Sequence, residues 1–128
     1  MDLIPERTNV VARRVVDAAF AVHSELGPGL LESVYEVCFA YELGRRRLSC
    51  AREVAVPIVY GNIRLAAGLR LDMVVDDRVV VELKSVDAFA PVHTAQMLSY
   101  LKLSDLRLGL LINFNVPLIK DGIKRIVR

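Results

Sequence analysis

Tryptophan is absent from this chain of 128 residues, and aromatic residues make up only 6% of it. Hydrophobic residues nevertheless reach 54%, so we expect a core built mainly from valine, leucine, isoleucine and alanine. A charged fraction of 25% beside this apolar content is typical of a folded globular chain and excludes a disordered one. The length predicts one domain over residues 1–128.

Cysteine is scarce as well: Cys38 and Cys50 are the only two, and their spacing matches no zinc motif. No apolar run is long enough to span a membrane. Charges interrupt the first 14 residues, which excludes the apolar stretch of a secretion signal. These absences predict a reducing, cytoplasmic location and no membrane partner.

A strong excess of positive charge is also missing. The formal net charge is +2 and the isoelectric point is near 8.7, which permits nucleic-acid binding without indicating it. Basic residues do cluster locally, as three consecutive arginines at 45–47 and as four lysines and arginines between 120 and 128. Each cluster is equally consistent with a solvated surface.

Hydrophobic periodicity predicts an α/β fold with a single mixed sheet. Apolar residues first recur at helical spacing and then, from Glu53, alternate with a period of two. Gly68, inside the second predicted strand, indicates a bulge or a close backbone approach. The predicted elements are helices over 9–26, about 30–47 and about 92–103, strands over 54–60, 63–75, 79–84 and 106–112, and a terminal hairpin turning at 121–122.

Charge interrupts two of these apolar strands. Asp72 falls inside the strand over 63–75, and Glu82 and Lys84 fall inside the next one. Glu82 and Lys84 are two residues apart, so they project from the same face of their strand. A three-residue turn over 76–78 would place Asp72 opposite Glu82, with Cβ atoms about 5 Å apart.

Two carboxylates this close repel each other, by roughly 4 kcal/mol at about 4 Å and an effective dielectric constant of about 20. A shared proton, a nearby cation or a bound metal must offset that penalty. Mg²⁺ (or Mn²⁺) suits the pair, because a divalent ion neutralises two charges through hard oxygen ligands and keeps waters for chemistry. The pattern predicts a nuclease in which metal-activated water cuts a phosphodiester and Lys84 orients or deprotonates that water. A structural salt bridge at a strand end is the alternative.

Asp72, followed ten residues later by the Glu-Leu-Lys run at 82–84, resembles the PD-(D/E)xK signature of restriction-type and repair nucleases. Leu71 stands where that signature has proline. The run Gly-Leu-Leu-Glu-Ser-Val-Tyr at 29–35 resembles the GxxExxY motif, which names a family of small bacterial proteins in the same superfamily. The resemblance extends over about residues 23–115. It implies a restriction-endonuclease-like core and a metal-dependent nuclease acting on nucleic acid, most commonly DNA.

The resemblance also implies roles for residues on two helices. Glu32, on the first core helix of such folds, would join Asp72 and Glu82 as a metal ligand; complementing the helix dipole is its alternative role. Gln96 and Tyr100 lie four apart on one helix face and resemble the QxxxY motif of RecB-type nucleases. In those enzymes the glutamine lies near metal-bound water and the tyrosine near substrate phosphate. Placement at the edge of an amphipathic helix is the alternative.

Four further residues each carry more than one interpretation. Arg70 shares a strand face with Asp72, so it would contact phosphate or pair with a carboxylate. His23 and His93 are candidate metal ligands, but lone histidines are more often surface or capping residues. Tyr35, one turn after Glu32, would pack or form a hydrogen bond beside the site.

The second hypothesis is a catalytically silent module that binds nucleic acid or protein and keeps only the fold. The minimal chain and its small net charge favour it, whereas the intact Asp72, Glu82 and Lys84 favour catalysis. A structural subunit of a larger complex would instead show a large apolar patch. The sequence leaves three questions open: whether the substrate is DNA or RNA, whether the enzyme is an endonuclease or an exonuclease, and whether two copies pair around a duplex.

Overall fold

The computed structural model describes residues 3–128 of the chain. Its five strands form one mixed sheet in the order β1-β2-β3-β4-β5, in which β3 and β4 are parallel and the other neighbours antiparallel. The α/β fold with one sheet is therefore confirmed. The elements are α1 (Glu6–Leu26), α2 (Glu32–Arg45), β1 (Cys50–Tyr60), β2 (Ile63–Val75), β3 (Val79–Lys84), α3 (Pro91–Ser104), β4 (Leu108–Asn113), a 3-10 helix (Ile119–Gly122) and β5 (Ile123–Val127).

Helices cover both faces of the sheet. On one face, α1 and α2 pack against Val79 and Val81 of β3. On the other face, Met97 and Leu101 of α3 pack against Val80. β3 and β4 are buried on both faces, which is why their sequences are mostly apolar up to the polar residues at their carboxyl ends. No helix within residues 3–128 is long and apolar enough to cross a membrane.

The three-residue turn predicted between β2 and β3 is confirmed. Val75 pairs with Val79, and the Arg78 N–H donates a hydrogen bond to the Val75 carbonyl at 3.0 Å. Asp76 and Asp77 adopt φ angles of 52° and 54° in this turn. Aspartate tolerates that left-handed conformation better than most residues, so the turn length and the register follow from local sequence.

Two details differ from the prediction. The helical spacing of Leu31 and Val34 with Tyr35, Cys38, Phe39 and Leu43 predicts that all six share one side of the second helix, yet Leu31 and Val34 are 73% and 39% exposed. The tight turn predicted at 121–122 is a 3-10 helix, and one strand, β5, follows it. Gly122, the last residue of that helix, lies so close to Asn113 that a Cβ would collide with the Asn113 carbonyl oxygen. This glycine serves the approach of two backbone segments, which sequence alone does not distinguish from a turn.

The strands β1 and β2 continue well beyond the rest of the sheet. Among the described residues, β3 pairs with β2 over 73–75, whereas β1 pairs with β2 along nearly its whole length. Residues 56–69 therefore form a two-stranded ribbon, here called the arm. The register shifts opposite Gly68, where a Cβ would lie 2.7 Å from the Ile58 side chain, so the predicted close approach is confirmed.

Candidate active site

Asp72 and Glu82 lie where β2 and β3 separate. The last backbone pair of this ladder is Met73 with Val81. Beyond it, the Asp72 N–H donates to Glu82 Oε1 at 3.1 Å, and the Leu83 N–H donates to Asp72 Oδ2 at 3.2 Å. Each carboxylate thus accepts the hydrogen bond that a strand carbonyl would otherwise accept. These two bonds satisfy the N–H groups of Asp72 and Leu83 and hold both carboxylates where the strands separate.

The electrostatics of this pair are strongly perturbed. Glu82 is only 6% exposed. Burial, and then the negative charge of Asp72 and a hydrogen bond with it, raise the pKa of Glu82 to about 8. The positive charge of Lys84 opposes this rise, which places that ammonium near the pair. Ionising both carboxyl groups at this site is therefore unfavourable, chiefly because Glu82 is buried.

Tyr100 of α3 lies beside the two carboxyl groups. Burial raises the pKa of its phenol, and the charges of Glu82 and Asp72 raise it further. The hydroxyl consequently stays protonated and can donate a hydrogen bond. Gln96 precedes it by one helical turn on α3 and is exposed.

A cleft of about 280 Å³ joins Asp72 to the start of α2. Its lining includes Glu32, the first residue of α2, together with Glu36 and Arg70. Across residues 3–128, no three His, Cys, Asp or Glu side chains are placed to bind a metal ion together. Glu32 therefore shares a cleft with Asp72 without completing a three-carboxylate group.

Arg70 lies on the rim of this cleft. Its Nη1 is 3.5 Å from Glu53 Oε1, and the two side chains are 71% and 59% exposed. An ion pair this exposed contributes little to stability. Its weak hold on Glu53 leaves the guanidinium able to contact an anion that enters the cleft.

A match to the PD-(D/E)XK nuclease superfamily extends over residues 9–126. The chain belongs to this superfamily. No curated protein and no solved structure matches it significantly. PD-(D/E)XK nucleases generally use divalent metals. The pair Asp72–Glu82 fits such an ion, because its oxygens are hard ligands and a divalent cation would offset the cost of ionising both carboxyl groups.

Tyr35 of α2 anchors the loop that precedes Glu32. This fully buried phenol donates a hydrogen bond to the Gly27 carbonyl at 2.6 Å and accepts one from the Leu30 N–H at 3.1 Å. Its ring stacks on Phe114 at 4.5 Å. Tyr35 thus ties down the loop that leads directly into Glu32 and forms no part of the cleft lining.

The segment after Lys84 is held by two residues that the sequence did not single out. The Ser85 hydroxyl donates to the Leu30 carbonyl at 2.8 Å, which connects the end of β3 to the loop before α2. Asn113 is buried; it accepts from the Val86 N–H at 3.1 Å and donates to the Val86 carbonyl at 2.9 Å. Asn113 is the polar residue that ends an apolar strand, so the rule that identified Glu82 could have found it.

Neither histidine lies among these carboxylates. His23 is buried, with Nε2 2.8 Å from the Val116 carbonyl oxygen. His93 Nδ1 accepts a hydrogen bond from the Ala90 N–H at 3.0 Å, so it caps the start of α3. The contact of His93 corresponds to the capping alternative, whereas His23 is neither a surface nor a capping residue: it is buried and contacts the segment after β4.

The basic clusters are also engaged in local contacts. Arg45 and Arg46 both pair with Glu42, at 3.1 and 2.9 Å. Lys124 donates to Thr94 at 2.8 Å, and Arg125 donates to Asn9 at 2.7 Å. Most of these side chains are exposed, which agrees with the solvated-surface interpretation of both clusters.

Proposed function

We propose that this PD-(D/E)XK protein is a metal-dependent nuclease that hydrolyses phosphodiester bonds in DNA. The observation that carries the proposal is the pair of buried Glu82 and half-buried Asp72 where β2 and β3 separate, with Lys84 beside it. Burial, and then the negative charge of Asp72, raise the pKa of Glu82 to about 8 although Lys84 opposes the rise. A structural salt bridge would be expected to lower that pKa.

Asp72 and Glu82 are the proposed ligands of Mg²⁺ or Mn²⁺. Glu32, which lines the same cleft without completing a three-carboxylate group, is proposed to join them by a change of its side-chain conformation when the cation binds. When bound, the cation supplies positive charge to the scissile phosphate and lowers the pKa of a coordinated water. The protein's part is to keep the two ligand carboxylates fixed. The backbone hydrogen bonds at 3.1 and 3.2 Å do this by holding one oxygen of each.

Lys84 is the proposed partner of the attacking water. It projects from the same face of β3 as Glu82. Its positive charge opposes the rise in the pKa of that carboxyl group without cancelling it. An ammonium at this place can orient the water and can stabilise negative charge that develops on the phosphate oxygens. The hydrogen bond from the Phe114 N–H to the Lys84 carbonyl, at 3.0 Å, fixes its backbone.

Three further residues are proposed to place the substrate. Tyr100 stays protonated beside the carboxyl groups, so its hydroxyl can donate to a phosphate oxygen. Gln96, on the same face of α3, is proposed to orient water. Arg70 is proposed to exchange its exposed contact with Glu53 for a charge-assisted contact with the phosphate backbone.

Finer assignments belong to the same proposal. The motif at residues 29–35 supports membership of the GxxExxY family within the superfamily, because Glu32 faces the cleft and Tyr35 holds the preceding loop. We further propose that residues 1–128 act as one nuclease-like domain in the cytoplasm.

The test is cleavage of plasmid DNA, linear duplex, single-stranded DNA and RNA with Mg²⁺ or Mn²⁺, and with chelator. The parent should cut at least one DNA substrate, and Asp72→Asn should cut it at least about a hundredfold more slowly. Asp77→Asn, at an exposed turn position, is the matched control and should cut like the parent. Equal rates for Asp72→Asn and the parent would refute the proposed centre. No cutting of any substrate would favour the catalytically silent module.

A further inference from the structure

The strand β1 is distorted directly opposite Asp72. Glu53 adopts a left-handed backbone conformation, with a φ angle of 52°. In the described ladder of β1 and β2 the pairing is regular on either side of this position, but the pair of Glu53 with Asp72 is skipped. A glutamate is uncommon in this conformation, because its Cβ crowds a backbone oxygen. Pairing of the two strands alone does not account for such a conformation inside a strand.

The distortion changes which side chains face the cleft. In a regular strand, residues two apart share a face. Leu71 and Met73 nevertheless pack in different cores, Leu71 with α3 and Met73 with α1 and α2. On β1, the consecutive residues Arg52 and Glu53 both serve the cleft: Arg52 pairs with Glu36 of its lining at 3.1 Å, and Glu53 lines it directly. The left-handed residue thus brings to the cleft a carboxylate that regular alternation would turn to the other face.

In the cleft, Glu53 contacts Arg70, the first residue of β2 after the arm. Among residues 3–128, Arg70 is the one positively charged residue that lines the cleft. Within the same described residues its ion pair is with Glu53, at 3.5 Å, and none joins it to Asp72. Asp72 follows Arg70 by two positions, a distance of about 7 Å along a strand that an arginine side chain can span. Glu53 and Asp72 therefore compete for one guanidinium group.

We propose that Glu53 is a positioning residue, which acts through Arg70 to keep that guanidinium from pairing with Asp72. The inference rests on the proposed function, since it takes Asp72 as a metal ligand. Paired with Asp72, Arg70 would compete with the divalent cation for the same carboxylate. Paired with Glu53, it stays at the rim of the cleft. The exposed ion pair adds little stability and the left-handed backbone costs some, so stability does not explain the arrangement.

A double-mutant cycle on Mn²⁺ binding, measured by calorimetric titration, tests the proposal. Glu53→Gln should weaken Mn²⁺ binding by about fivefold, because it releases Arg70 to pair with Asp72. In an Arg70→Gln background the same substitution should change the affinity by less than about twofold, because only a screened, exposed charge is then lost. Equal fold-changes in the two backgrounds would overturn the proposal, since Glu53 would then act through its own charge alone.

Two variants are the controls. Glu36→Gln removes the same charge from the lining of the same cleft, but its partner is Arg52, so its effect should be equal with and without Arg70. Glu53→Asp keeps the charge and tolerates the left-handed conformation, so it should bind Mn²⁺ within about twofold of the parent. A parent that binds no Mn²⁺ would reject the metal centre and this role with it. Parent-like binding by Glu53→Gln would reject the role of Glu53 alone.

Glu53→Gly tests the backbone conformation. Glycine adopts a φ angle of 52° without strain, so this variant should unfold at a higher urea concentration than Glu53→Gln, which lacks the charge as well. It should still bind Mn²⁺ as weakly as Glu53→Gln does. A glycine variant less stable than Glu53→Gln would overturn the claim that stability is given up at residue 53 to place a carboxylate in the cleft.

Discussion

Asp72 and Glu82 are joined through the backbone of each other's strand: the Asp72 N–H donates to Glu82 Oε1, and the Leu83 N–H donates to Asp72 Oδ2. The register of the hairpin brings the two carboxyl groups together, and burial then raises the pKa of Glu82 to about 8. The two hydrogen bonds therefore stand where the backbone ladder between β2 and β3 ends. They hold together two carboxyl groups that a divalent cation could bind.

Lys84→Ala should reduce the rate of DNA cutting by about a hundredfold or more, because it removes the charge proposed to act on the water and the phosphate. Lys84 is half-buried at the end of β3, so circular dichroism should show an unchanged fold. Lys102→Ala, an exposed lysine on α3, is the control and should retain the parent rate. A Lys84→Ala protein that cuts as fast as the parent would contradict the proposed role.

Stability without metal should fall as the pH rises from about 4.5 to about 8. The pKa of Glu82 is raised from 4.5 to about 8, so in this window the folded chain keeps a proton that the unfolded chain has lost. The free energy of unfolding should then decrease by up to about 1.4 kcal/mol per pH unit. Below this window the contribution is fully present.

Glu82→Gln should abolish most of that pH dependence, because glutamine does not titrate. Urea unfolding across the window, with chelator present, measures the slope for both proteins. Glu25→Gln, at an exposed position on α1, should keep the parent slope. Identical slopes for the parent and Glu82→Gln would show that the carboxyl group is not perturbed as described.

Tyr35→Phe should lower the free energy of unfolding by about 1–3 kcal/mol, because it leaves the Leu30 N–H and the Gly27 carbonyl without their partner. Tyr41→Phe, on the exposed face of the same helix, should change stability by less than about 0.5 kcal/mol. Chemical denaturation compares the two. Equal stabilities would mean that the Tyr35 hydroxyl does not hold the loop before Glu32.

Tyr100→Phe should have the opposite profile, with near-parent stability and slower cutting. Its phenol lies by the carboxyl groups and is proposed to donate to phosphate, so its loss should slow cutting by about 10- to 100-fold. Single-turnover cleavage, beside denaturation of the same sample, separates the effects. A variant that loses stability but not rate would place Tyr100 in the core and outside the site.

Local features of the sequence predicted much of this arrangement. The turn over 76–78 fixed the register, and the alternation of β3 put Glu82 and Lys84 on one face, because both depend on residues close in sequence. Two sets of hydrogen bonds could not be predicted: those of Tyr35 with the loop before α2, and those of Asn113 with Val86. Both form only when separate parts of the chain pack together. The exposure of Leu31 likewise depends on how α2 sits against the sheet.

The central claim is that Asp72 and Glu82 bind a divalent cation, and calorimetric titration of Mn²⁺ tests it most directly. The comparison is a double variant, Asp72→Asn with Glu82→Gln, whose amide oxygens can still accept the backbone hydrogen bonds of the pair. The parent should bind Mn²⁺ saturably and release a proton from Glu82 at neutral pH, so its heat should depend on the buffer. The double variant should bind none. Equal binding by both proteins, or no binding by the parent even with duplex DNA present, would contradict the account.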